Sequence, residues 1–221
     1  MAGIQDFIEY VDDFEGTSVT FPESANIGTP WLVDRTGAAP PTHVRAAGAA
    51  VLSLEATSQA QILGLHHGDA KSFDIDDIQR VEMRVKIGAS TFTSGSILVF
   101  GVSSDRHDTA DSVAEAAWFR MEGANSTTVV YCETDDGTTD NNDVSTGVTL
   151  GTTYKRFVID FTGGKSNVKF YIDGIRVAAA TTFDMSNYAS GLQPIIQLQK
   201  AANTNADVAT IDYVKIVSRR S

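Results

Sequence analysis

Val168-Lys169-Phe170-Tyr171-Ile172-Asp173-Gly174-Ile175-Arg176-Val177 decides the fold class of this chain. Val168, Phe170 and Ile172 alternate with Lys169, Tyr171 and Asp173, the period of a half-buried strand whose successive side chains point to opposite faces. Asp173-Gly174 supplies two residues that tolerate positive φ, as a type I′ turn requires. Ile175 and Val177 resume the alternation on the return strand. The stretch reads as a β-hairpin.

The same grammar extends along the chain. Arg80–Ile87 places Val81, Met83, Val85 and Ile87 on one face and Glu82, Arg84 and Lys86 on the other. Lys155–Phe161 puts Phe157, Ile159 and Phe161 inward. Ser96–Val102 is almost wholly apolar and reads as a central strand buried on both faces. Further strands are expected at Ala50–Ala56, Gln61–His66, Ala117–Met121, Thr128–Glu133, Gln193–Gln199 and Thr210–Val217. The core is expected from Val81, Met83, Val85, Phe157, Ile159, Val168, Phe170 and Ile172.

Helix is scarce. Thr109–Ala117 and Met185–Ala189 have room for a turn or two. Ile4, Phe7, Ile8 and Val11 fit a short amphipathic helix, while Phe7–Phe14 fits a strand equally well. Gly28–Pro41, with Pro30, Pro40 and Pro41, reads as a long irregular connection, and Thr134–Ser145 as a solvated acidic loop. No linker divides the chain, so residues 1–12 are expected as an arm or first strand and 13–221 as one domain.

The 221 residues carry 17 Lys+Arg against 28 Asp+Glu, a formal charge of −11 that disfavours nucleic acid and anionic bilayers as partners. Cys132 is the single cysteine and is expected as a small buried hydrophobe. The first residues lack a basic and apolar leader, and no apolar run is long enough to span a bilayer. Folding in a host cytoplasm is therefore expected.

Short strands joined by polar turns favour a two-sheet sandwich. Asp13-Phe14-Glu15-Gly16, the Lys155–Phe161 strand with its Val168–Val177 hairpin, and the terminal Ile211-Asp212-Tyr213-Val214-Lys215-Ile216 resemble the concanavalin A-like jelly roll, in its laminin-G-like and glucanase-like branches. The resemblance runs from Asp13 to Val217. The chain is also similar in character to laminin-G-like structural proteins of tailed bacteriophages, including capsid decoration proteins. The fold expected is an all-β, antiparallel two-sheet jelly-roll sandwich with a short N-terminal arm.

The glucanase branch carries Glu-x-Asp-x-Glu on one strand, so that nucleophile and acid share a face. Here Asp74-Ile75-Asp76-Asp77 and Glu133-Thr134-Asp135-Asp136 come nearest, and both read as turn or loop. His66 and His67 are adjacent and face opposite sides, so they cannot chelate one ion together; with His43 and His107 they are expected at the surface or in turns. Asp135, Asp136, Asp140, Asn142 and Asp143 offer hard oxygen donors, but their spacing is not that of an EF-hand, and a solvated turn is the reading favoured over calcium. The aromatics available to stack on sugar are Trp31, Trp118, Tyr131, Tyr154, Tyr171 and Tyr188.

No catalytic residue, cofactor or metal is therefore expected, and the chain is read as not an enzyme. The resemblance implies a virion location, as a decoration protein that binds the major capsid protein and forms a homo-oligomer, by analogy a trimer. Its alternative is a lectin-like carbohydrate-binding module, with a glycan-active enzyme behind it. Ile4, Phe7, Ile8, Tyr10, Trp31 and Leu32 are the candidate interface residues.

Overall fold

The computed structural model describes residues 6–15, 21–24 and 29–220. In chain order the strands are β1 (Phe7–Asp12), β2 (Leu32–Thr36), β3 (Thr42–Arg45), β4 (Ala50–Ser53), β5 (Gln59–His66), β6 (Phe73–Asp74), β7 (Ile78–Ile87) and β8 (Ser96–Ser103). There follow β9 (Glu115–Glu122), β10 (Val129–Asp136), β11 (Asp140–Thr149), β12 (Lys155–Asp160), β13 (Lys169–Ile172), β14 (Ile175–Val177), β15 (Gly191–Asn203) and β16 (Val208–Arg219).

Two antiparallel sheets form a jelly-roll sandwich. Sheet one runs β14-β13-β12-β7-β16-β4-β3, with β1 also paired to β16; sheet two runs β11-β10-β9-β8-β15-β5-β2, with β6 paired to β15. The hairpin that opened the sequence reading is present: Phe170 pairs with Val177, Ile172 pairs with Ile175, and Asp173 and Gly174 have φ of 51° and 84°. All eight expected core residues are 3% exposed or less. Phenylalanines lock the layers together, Phe157 and Phe170 of sheet one meeting Phe119 of sheet two at ring-centroid distances of 4.9 and 5.1 Å.

Several expectations are corrected. The N-terminal segment is strand, not helix, because the far half of β16 beyond β4 offers a free edge, and Phe7–Asp12 fills it from Arg219 to Val214. The supposed irregular connection contains β2, which pairs with β5 and buries Trp31 and Val33 beside it. The supposed acidic loop is the β10–β11 hairpin. Its Asp and Asn residues are poor strand formers, yet Asp140 and Asn141 pair with β10, a bulge takes up Asn142 and Asp143, and Val144 and Val148 pack on the core. The helix expected at Thr109–Ala117 reduces to a 3₁₀ turn at Ala110–Ser112, with strand resuming at Glu115. Met185–Ala189 holds no helix.

Candidate functional site: a covered acidic cleft on sheet two

β9 and β10 are two-faced. Ala117, Phe119 and Met121, with Val130 and Cys132, point into the core. Alternation sends Trp118, Arg120 and Glu122 of β9, and Tyr131, Glu133 and Asp135 of β10, to the opposite face. Register places Glu133 beside Trp118 and Tyr131 beside Arg120.

That outer face is not open to water. The connection from β8 to β9, residues 104–114, crosses it. Arg106 lies over Gly64 of β5, where a Cβ would approach its Nε to 3.2 Å, and the His107 carbonyl accepts from Gln197 Nε2 of β15. Ala110 and Val113 then pack with Val99, Trp118 and Ile195 in a small apolar cluster separate from the core. Beyond that cover lies a cavity of about 360 Å³, within the size range of small-ligand sites. A second, of about 380 Å³, lies across β5, β15 and β8, and Glu122 lines both.

The first cavity is organised around Arg120, whose side chain is 4% exposed. The guanidinium meets Asp111 through Nη1 and Glu122 through Nη2, the latter at 2.7 Å, and stands 3.5 Å from Glu133 Oε2. Burial opposes its charge, but the hydrogen bond to Asp111 and the fields of Glu133, Asp111 and Glu122 raise its pKa, so it stays protonated. Trp118 Nε1 donates to Glu133 Oε2 at 2.6 Å, and the Asp143 amide donates to Glu133 Oε1 at 3.3 Å.

Burial is also the largest influence on Glu133. It pushes the carboxyl up to about 7; Arg120 and the Trp118 hydrogen bond pull against it, and the neighbouring Asp143 carboxyl pushes the same way. Asp135, two residues on and on the same face, is raised by burial as well. Burial therefore brings Glu133 toward the range in which a carboxyl gives or takes a proton at neutral pH. Two atoms are left over: Arg120 Nε and Asp143 Oδ1 are buried, lack hydrogen-bond partners and face each other at 3.8 Å.

Glu133 was expected at the end of a strand and Asp135 in the loop beyond it; both lie within β10. The acidic donors divide: Asp135, Asp140, Asn142 and Asp143 line the cavity, whereas Asp136 holds the turn by accepting from the amides of Thr138, Thr139 and Asn187. His66 and His67 do face different partners, Asp34 and Tyr10 respectively, but with His43 they are buried rather than superficial. Of the aromatics, Trp31, Trp118 and Tyr188 are buried and Tyr131, Tyr154 and Tyr171 half-buried, so no flat sugar-stacking platform is presented by these six.

The interface candidates do not form one surface. Ile4 lies outside the described residues. Phe7 and Ile8 are 55% and 49% exposed, while Tyr10 turns in against His67 and Phe73 and Leu32 is half-buried. Trp31 is wholly buried, its Nε1 donating to Asp12 at 2.8 Å, so it is core and offers nothing to a partner.

No protein-family model and no curated protein matches this sequence. Solved structures do. The laminarinase from Rhodothermus marinus covers 100% of both chains at 12% identity and a TM-score of 0.66. The Emp47p carbohydrate recognition domain covers 90% of this chain and 92% of its own, at 13% identity and a TM-score of 0.62. A GH16 protein of Bacteroides ovatus, bound to a product, covers 94% and 99% at 15% identity and a TM-score of 0.61. Identities this low show the fold alone, the two-sheet jelly-roll sandwich expected from the sequence.

These likenesses correct the expectation that the chain is not an enzyme: laminarinase and GH16 structures share its architecture from end to end. None of these structures supports the virion reading.

Proposed function

We propose that the chain is a carbohydrate-binding module and that the covered cleft at Arg120 takes a sugar. The observation that carries this reading is the cavity of about 360 Å³ beside Arg120, to whose wall Asp143 brings a carboxylate 38% exposed. Asn125, Asn142 and Asp140 add further donors and acceptors around the same cavity. The likeness to a carbohydrate recognition domain and to glycanases supports the same ligand class.

Calorimetric titration with a panel of neutral oligosaccharides tests it. At least one should bind, and Asp143→Ala should weaken that binding about tenfold, the worth of one hydrogen bond to a charged group, while the circular dichroism spectrum stays unchanged. Absence of binding across the panel, or equal binding by the variant, would overturn the proposal.

A second reading has an observation of its own. Glu133, its pKa raised by burial, can act as the acid that protonates a glycosidic oxygen, with Asp135 on the same face as its carboxylate partner. It calls for release of reducing ends from a β-glucan that ceases in Glu133→Gln. Binding without release would leave the chain a lectin-like module.

A further inference from the structure

At the end of the sandwich where β4 passes to β5 and β15 passes to β16, a charge is buried that the cleft does not use. Lys200, on β15, is 4% exposed. Its Nζ donates to four backbone carbonyls: Glu55 and Thr57 in the first connection, and Asn203 and Asn205 at the second. The last three distances are 2.8, 2.9 and 2.9 Å. An ammonium has three hydrogens. Four oxygens about it form a coordination shell rather than a set of one-to-one hydrogen bonds.

The oxygens belong to no side chain. They are neutral carbonyl dipoles, and both connections that supply them join one sheet to the other. We infer that this cage is a monovalent-cation site whose resident ion is the chain's own Lys200 ammonium. The donor set fixes the class of ion. Carbonyl rings at such distances replace the hydration shell of potassium. Calcium takes shorter oxygen contacts, about 2.3–2.6 Å, and in protein sites carboxylates are usual among its ligands. The cage offers none.

Thermal unfolding separates this from an ordinary structural lysine. Wild type should unfold at the same temperature in potassium, ammonium, choline or calcium chloride at matched ionic strength. Lys200→Ala should unfold lower, and about 3 °C or more of the loss should return saturably with potassium or ammonium. Choline and calcium should return nothing. A variant that responds equally to all four salts, or that is as stable as wild type, would overturn the inference. Should the variant not fold, acetylation mapping on the native protein decides. Exposed lysines should be modified and Lys200 spared; ready acetylation of Lys200 would sink the proposal.

Discussion

The outer faces of the two sheets use the same residue types to different ends. On sheet one, Arg84 pairs with Asp212 at 2.6 Å and its guanidinium stacks over Tyr154, but the pair is 45% and 28% exposed. On sheet two, Arg120 meets Asp111, Glu122, Glu133 and Asp143 under the cover of residues 104–114, at 4% exposure. Water screens the first pair and leaves it weak. In the second, Arg120 and Glu133 are desolvated at 4% and 6% exposure while Asp143 and Asp111 reach water, so the cost of a missing partner falls on the buried two. The cover, more than the charges, separates a decorated surface from a site.

The contrast predicts a graded series. Arg120→Met should cost the most, about 3–5 kcal/mol in urea unfolding, because it strands carboxylates that share one buried counter-charge. A loss below 1 kcal/mol would mean that the cleft is effectively wet.

Next comes pH. Glu133 has its folded pKa raised from 4.5 to about 7, so between those values the folded state binds more proton than the unfolded. Its contribution to stability is therefore full below about 4.5, declines as pH rises and levels off above about 7, a change on the order of 3 kcal/mol. Subtracting the pH profile of Glu133→Gln from that of wild type should isolate this slope. A flat difference would contradict it.

Trp118→Phe keeps an aromatic ring in the outer apolar cluster but removes the indole donor to Glu133 together with part of the packed side chain. It should cost about 1–2 kcal/mol and move the Glu133 titration, followed by carboxyl carbon NMR, further upward. Arg84→Met, the control on the open face, should change stability by less than about 1 kcal/mol. If it rivals Arg120→Met, the distinction between the faces fails.

The sheets were legible in the sequence because each buried strand repeats its pattern locally. Val81, Met83 and Val85, or Phe157 and Ile159, declare their face without help from the rest of the chain. The cleft was not legible, for a tertiary reason. Glu133-Thr134-Asp135-Asp136 has the composition of a turn, and only its ladder to β9 makes it strand. Arg120 and Glu122 look like any solvent-facing positions until Ala110 and Val113, brought over from the preceding connection, seal the face. The signal available was Trp118-Phe119: two adjacent large aromatics on a strand mean apolar packing on both faces, and so a covered outer one.

Pairing β1 with β16 has a consequence for how the molecule can be rebuilt. Phe7 lies opposite Arg219, and the Arg220 amide donates to the Asp6 carbonyl at 2.8 Å, so the two extremities of the described chain run side by side at one corner. Adjacent, superficial extremities favour circular permutation. A short bridge across that corner, with new ends cut at the exposed Asp173–Gly174 tip, would break the turn most legible in the sequence and leave every ladder of sheet two covalently undisturbed. Such a permutant would keep the cleft while placing β15 ahead of β8–β11 in the order of synthesis.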